Sequence, residues 1–425
     1  MKEACNLLNK NRIDIVIGIE YVEFHERKYQ TDFFINLYIE HKRAFNNLRD
    51  KEFNGKEAFL KRFDNVIKGI KDKQTNTENI PVYNYKDEYW IEDGFHRTST
   101  LIYFNLKKNL KIQKHNKPNS GGFYPADIYY FKNKGFEHKY CNYTIHTFLK
   151  RHLKNFSCII LFPNDKQLTN DLLDEINKNI IYDIKIPLND FNKNFFNNFI
   201  QLLYFEESWC VKGGNRGKAQ SCKNGKNLKI YFIQKQNLNI LNTYKQKVRN
   251  HFNIANHSIH IPDTQKEADR VLQLLNNNTI SFMDKAKTLY IDFPKFKKFF
   301  QQLKEFLLTN NLDSRKICIA GSSVLTLYGI RDCNDIDLFI DKDYIKVFKG
   351  TIFSSHNQYT EDSFYSKHFE DIIYNPDNHF YYEGIKFCTL DLILDSKINR
   401  VRGNYFSQAS IEKDKKDINN INSIL

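Results

Sequence analysis

The chain has 425 residues, 41% hydrophobic and 15% aromatic, which is enough for two or three packed domains and too apolar for wholesale disorder. Its formal net charge is +14, and the excess is local: between Ser208 and Pro262 there is no Asp or Glu, yet ten Lys or Arg occur. An AT-rich coding bias raises Lys everywhere but does not delete acids from one stretch, so this segment is expected to face an anion.

Residues 1–140 are predicted as one mixed α/β domain. IDIVIGIEYVEF reads as an early strand region. FINLYIEHKRAFNNL and EAFLKRFDNVIKGIK carry apolar residues at three- and four-residue spacing, as amphipathic helices do. PVYNYKDEYWIEDG returns to β character, TSTLIYFNLKK is helical, and QKHNKPNSGGFYP is a loop. At the strand-to-helix junction stand Asp93, Gly94, Phe95, His96 and Arg97. Glycine permits the turn, the helix start offers free N–H groups, and His96 and Arg97 add positive charge, which together make a phosphate cradle. This segment resembles the D-G-x-H-R motif of the ParB/sulfiredoxin-like superfamily. Phe95 stands where sulfiredoxin chemistry needs a cysteine, and no helix-turn-helix of the partition-protein kind follows. The resemblance leaves a kinase-like activity open, with Glu20, Glu23 or Glu26 as bases. The alternative is structural: His96 and Arg97 satisfy Asp93 and nearby carbonyls.

Residues 155–289 are predicted as a basic α/β middle domain. CIILFP reads as a buried parallel strand, QLTNDLLDEINKN as a helix and IIYDIKIPL as a strand, an alternation expected of an open α/β sheet. WCVKGGNRGKAQSCKNGK combines glycines with Lys212, Arg216 and Lys218, expected to contact phosphate. The Walker A order is absent and aromatics are not interleaved, which favours a compact phosphorylated substrate over nucleic acid. In HSIHIPDTQKE, strand alternation would put His257 and His260 on opposite faces, while Asp263 or Thr264 caps a helix with Glu267 placed for a capping box.

Residues 290–425 are predicted as the third domain, opening with the helix FPKFKKFFQQLKEFLLTN. KICIA is a buried strand, Gly321-Ser322-Ser323 a turn, VLTLYG a helix start and DIDLFID the next strand. The glycine allows close backbone approach to a ligand, and the helix start favours phosphate. Asp335 and Asp337, two apart, share a face and suit Mg²⁺ carried by a nucleoside triphosphate. FCTLDLIL supplies a third acid, Asp391, expected on a neighbouring strand, with Asp395 as its competitor. The order of glycine-serine turn, D-x-D strand and later single acid resembles the nucleotidyltransferase superfamily, in its minimal bacterial branch. The resemblance implies Gly321, Ser322 and Ser323 at the triphosphate, Asp335 and Asp337 on metal, and Asp391 as third ligand and activator of the acceptor. It departs in the long insert, residues 342–384. Before Asp391, His379, Asn375, Asn378 and Lys386 can meet a sugar or phosphate, or belong to a hairpin with an NPDN turn. Lys413 and Asp417, one turn apart, read as a surface ion pair.

The expectation is therefore a mixed α/β, multidomain, Mg²⁺-dependent nucleotidyl- or phosphoryl-transfer enzyme. It would use ATP or CTP and a small sugar or phosphorylated acceptor. The pairing of the two resemblances implies bacterial surface polysaccharide biosynthesis. The alternatives are a toxin-like enzyme modifying protein or tRNA, and a non-catalytic nucleotide-binding scaffold. Eight cysteines without a C-x-x-C pair, a charged N-terminus and the lack of an eighteen-residue apolar run point to a cytoplasmic chain with no transmembrane segment.

Overall fold

A computed structural model describes residues 12–46, 55–72, 80–85, 88–91, 94–106, 112–115, 126–153, 155–286, 293–362, 364–403 and 406–425. The chain divides into two compact units, Met1–Lys154 and Asn155–Leu425, and is a mixed α/β, multidomain protein.

In the first unit, α1 (Asp14–Arg27) is followed by α2 (Phe33–Asn46) and α3 (Gly55–Lys71). The expected early strand is therefore a helix. Every residue from Asp14 to Val22 is buried, so no polar face interrupts the apolar run and the helical period is invisible in sequence. Strand β1 (Ile80–Tyr85) pairs antiparallel with β2 (Glu88–Ile91) and parallel with β3 (Ile112–His115). Most of the expected loop beyond β3 lies outside the described residues. Helices α4 (Phe95–Tyr103), α5 (Ile128–Asn133) and α6 (His138–Thr147) complete this unit. Glu20 is buried and takes hydrogen bonds from Tyr143 (2.6 Å) and Arg151 (2.5 Å), and Arg151 also bonds Glu23.

In the second unit, β4 (Phe156–Leu161), β5 (Ile180–Pro187), β6 (Asn227–Gln234) and β7 (Ile259–His260) form a sheet of order β5-β6-β4-β7. Every pairing in it is antiparallel, so β4 is the expected buried strand but not a parallel one. A continuous apolar run reports burial on both faces, not the direction of the neighbours. On one face, Ile159 and Leu161 pack against α7 (Asn170–Asn177) and α10 (Leu238–Phe252) through Leu172, Ile176, Leu241 and Val248. Helix α11 (Gln265–Leu274) packs on β4 and on α8 (Phe195–Leu203). Thr264 is its cap, accepting the Glu267 N–H at 3.2 Å, and Glu267 returns a bond to the Asp263 N–H at 3.0 Å. Between α8 and β6 lies the short helix α9 (Asn215–Cys222).

Helix α12 (Asn277–Lys285) leads to the second sheet of this unit. Phe282 stacks on Phe380 with ring centres 4.4 Å apart, while the Asn198 amide of α8 donates to the carbonyls of Met283 and Ala286 at 2.8 and 2.9 Å. Helix α13 (Pro294–Thr309) follows, with Phe296 and Phe300 against Tyr382 and Phe387. Strands β8 (Ile317–Ala320), β9 (Asp337–Ile340), β10 (Ser354–Ser355), β11 (His379–Tyr382) and β12 (Ile385–Cys388) are ordered β10-β9-β8-β12-β11. β8 is antiparallel to β9 and parallel to β12. Short helices α14 (Ser322–Leu327), α15 (Ile345–Phe348), α16 (Asn357–Glu361) and α17 (Phe369–Tyr374) fill the connections, and α18 (Leu390–Gly403) and α19 (Gln408–Asn422) end the chain. The thiols of Cys318 and Cys388, on neighbouring strands, are buried 3.7 Å apart and free. Among the described residues no helix is long and apolar enough to cross a membrane.

Candidate functional site

The second sheet brings two of the expected acids to one point. All four residues of β8 are buried, and the strand ends at Gly321, whose φ of +63° lies where L side chains rarely go. The β8–β9 register sets Ala320 opposite Asp337, which lays the Asp337 carboxylate against Gly321. A Cβ at residue 321 would stand 2.1 Å from Asp337 Oδ2. Asp335 lies two residues before β9 begins, so it belongs to the approach to the strand and not to the strand itself. Ser323 Oγ donates to the Asp335 carbonyl at 3.2 Å and holds that approach.

The insert supplies a partner that the sequence did not single out. Ser354 of β10 pairs beside Asp337, and the next turn is fastened by the His356 N–H to the Leu338 carbonyl at 2.8 Å. This puts His356 Nε2 2.9 Å from Asp337 Oδ1, while His356 Nδ1 is buried without a hydrogen-bond partner among the described residues. Partial burial and then the Asp337 charge raise the Asp335 carboxyl above its ordinary range, against opposing pulls from His356, Lys413 and Arg331.

These groups line a cavity of about 170 Å³ that also has a wall of four cations, Arg331, Lys397, Arg400 and Lys413, with the acid Asp414 among them. Three of the four are fixed by buried acids of α19. Arg331 grips Asp417 with two bonds of 2.9 Å, and Lys397 reaches Asp414 and Asp417 at 2.8 and 2.7 Å. Arg400 lies 3.0 Å from Asp414, its guanidinium over the Phe406 ring at 4.2 Å. Lys413 is exposed and has no ion pair among the described residues. The expected surface pair of Lys413 and Asp417 is thus replaced by two different functions. Asp417 is 1% exposed and anchors the wall, whereas Lys413 is the wall's open cation.

Other expected residues fall differently. Gly321 and Ser322 line the cavity, but Ser323 is fully buried and its hydroxyl is committed to the Asp335 carbonyl. Asp391 is not on a strand: β12 stops at Cys388, and Asp391 is exposed in the first turn of α18, outside the cavity lining. Its flanking leucines gave a strand-like alternation, but they are the buried side of a helix start. Asp395 is also exposed on α18 and bonds Ser366. Among the described residues no group of three His, Cys, Asp or Glu is arranged to hold a metal. His379 and Lys386 are buried and bond the carbonyls of Ile372, Arg315 and Ile373; Asn378 bonds Asp371. Asn375 caps the turn at Pro376. The β11–β12 hairpin turns at Glu383-Gly384, where both residues have positive φ, so the NPDN segment precedes the hairpin.

In the first unit, Gly94 (φ +96°) caps α4, while Asp93 lies outside the described residues. His96 Nε2 meets the Tyr38 hydroxyl at 2.8 Å, and its ring lies 4.4 Å from Phe63. Burial, then the charges of Lys42 and Arg62, lower the imidazole to about 2, so His96 brings no positive charge to this turn at neutral pH. In the middle sheet, Arg216 is exposed on α9 and the Lys212 side chain lies outside the described residues. Lys218 lines a separate, larger cavity.

No family model, no curated protein and no solved structure matches this chain.

Proposed function

We propose that the Asp335–Asp337 cavity is the reaction centre of a Mg²⁺-dependent nucleotidyltransferase that uses ATP or CTP and a small sugar or phosphorylated acceptor. The observation that carries this reading is Gly321. A Cβ at this position could be accommodated only by moving the Asp337 carboxylate, and the same residue caps a helix start at the cavity edge. The donor set is hard oxygen, and a divalent cation would offset both the burial and the Asp337 charge that raise Asp335. When bound between these carboxylates, Mg²⁺ would neutralise phosphate charge. Lys413, with the anchored Arg331 and Arg400 in the same lining, supports phosphate oxygens. In the transfer, an acceptor hydroxyl oxygen bonds to the α-phosphorus as its proton passes to solvent, the bond from the α-phosphorus to the oxygen bridging to the β-phosphate breaks, and pyrophosphate leaves. The cavity, at about 170 Å³, is below the range of roughly 300–1,000 Å³ for whole-ligand pockets. It therefore seats the phosphates and leaves the base and acceptor on its rim.

The test is pyrophosphate release by the full chain with MgATP or MgCTP and a panel of sugar and sugar-phosphate acceptors. Asp335→Asn and Asp337→Asn should each lower the rate at least about 100-fold, with the unfolding temperature unchanged. Full activity in both variants would overturn the assignment. Tight nucleotide binding by the wild type with no turnover would favour the non-catalytic scaffold instead.

A further inference from the structure

The acid-free segment folds around a second cavity, of about 490 Å³, that the reaction centre does not use. One wall comes from α10, where Lys245 and Arg249 stand four residues apart and so share a face. α9 adds Lys218, whose ammonium donates to the Asn256 carbonyl at 2.6 Å near the rings of Phe162 and Tyr204. Arg249 is the exceptional member. Its Nε is withdrawn from solvent and has no hydrogen-bond partner among the described residues, a state that costs a buried charged donor its solvation.

The sign of the cavity depends on how its acids are spent. Glu206 is held by Lys266 at 2.5 Å and by Arg270, whereas Glu267 accepts the Asp263 N–H at the cap of α11 and keeps its charge. Asp263 lies 3.9 Å from Lys245 but is 74% exposed, so its pull is weak. Glu207 is the remaining acid of the lining and is exposed. Lys218 and Arg249 are left without a carboxylate partner among the described residues. The field they make is visible at His260, which bonds the Tyr204 hydroxyl at 3.1 Å. Burial, then Lys245, Lys218, Arg270 and Arg249, lower its imidazole to about 3.

The cavity also has an apolar side. Trp209 lies beside Tyr204 with ring centres 5.2 Å apart. Gly214 lets the chain fold over it, since a Cβ there would meet the Trp209 carbonyl at 2.8 Å and its ring at 3.1 Å. His257 lines the same cavity as His260. Expected on opposite faces, they converge because β7 begins only at Ile259 and His257 belongs to the turn before it.

We propose that this cavity is a second ligand site, taking the phosphate of a small phosphorylated molecule on Lys218, Lys245 and Arg249 and its organic part against Trp209. A half-open pocket of this volume with one aromatic wall suits a compact ligand better than a polynucleotide. The inference is independent of the reaction-centre reading, because its test needs no turnover.

The chain has two tryptophans, Trp90 and Trp209, so in full-length Trp90→Phe the fluorescence reports Trp209 alone. Glucose 1-phosphate, AMP and phosphocholine are titrated without Mg²⁺, each against its unphosphorylated parent and against inorganic phosphate. The expected result is a saturable change with at least one phosphorylated probe and none with its parent. Arg249→Gln and, separately, Lys245→Gln should weaken that binding at least tenfold with unchanged circular dichroism, while Asp335→Asn leaves it intact. The proposal is overturned if no probe saturates below about 10 mM, if parents bind as well as their phosphates, or if both charge-removing variants bind normally. Equal affinity for inorganic phosphate would overturn the role given to Trp209.

Discussion

At Gly321 two penalties that usually travel together can be separated. The backbone conformation alone, φ +63° with ψ −145°, costs a non-glycine residue about 1–3 kcal/mol, and the contact with Asp337 adds a steric term local to the carboxylate. Gly329 provides the control, because its φ is +75° but nothing lies within 4 Å of its missing Cβ. Gly329→Ala should therefore lower stability by about 1–2 kcal/mol and leave turnover nearly unchanged. Gly321→Ala should displace Asp337 and lower turnover at least about tenfold, a change of about 1.4 kcal/mol in the barrier. Parallel losses of activity in the two variants would show that strain, and not the carboxylate, sets the effect; melting curves with pyrophosphate-release rates decide it. The residues argued here were visible as a pattern, since Gly321, Ser322, Asp335 and Asp337 lie within seventeen positions of one another. His356 was not, because a lone histidine in a polar insert has no period, and only the β9–β10 pairing brings it to Asp337.

At the scale of elements, α18 and α19 act as one clamp through Lys397, Asp414, Asp417 and Arg331. Removing one member of a buried pair leaves an uncompensated charge, and the usual loss is about 3–5 kcal/mol. Asp417→Asn should therefore destabilise the second unit by up to that amount, since Arg331 is only partly buried. Burial alone would raise the Asp417 carboxyl, but the bonds and charges of Arg331 and Lys397 outweigh it and hold it below the ordinary range. The folded state then binds the proton more weakly than the unfolded state. The pair's contribution is complete above the unfolded value of about 3.9 and is lost as pH falls through the folded one. Wild type should lose more stability than Asp417→Asn between about pH 5 and pH 3, measured by urea unfolding; equal losses would remove Asp417 from the acid response. The same clamp shows where sequence reading stops. Helical spacing announced α2, α3 and α13, because each has a polar face for contrast. In α19 the three-residue step from Asp414 to Asp417 joins two buried acids, and charge pattern alone reads them as surface. Asp391 and α1 failed for the converse reason, apolar neighbours whose alternation fits strand and helix equally.

At the scale of the second unit, two sheets meet on α12. Residues 277–285 fall inside the expected middle domain, residues 155–289, and Phe282 is fully buried against Phe380 of β11 and Tyr328. The Asn198 amide ties the same helix to α8 of the first, and Thr279 Oγ1 accepts the Tyr381 N–H at 2.9 Å. Periodicity marks a helix but does not say how many neighbours it serves, so the sharing is not legible in the sequence. A shared helix makes the stability of the two sheets interdependent. Phe282→Ala removes a buried aromatic ring, a change that typically costs about 3–5 kcal/mol. If α12 couples the sheets, amide exchange in the variant should quicken together in α8 and in β11, although β11 is the nearer to the lost ring. Hydrogen-exchange mass spectrometry of the full chain reads both segments in one experiment. Faster exchange confined to β11 would mean that Asn198 holds α8 without help from the ring, and that the two sheets are separate folding units joined only by the chain.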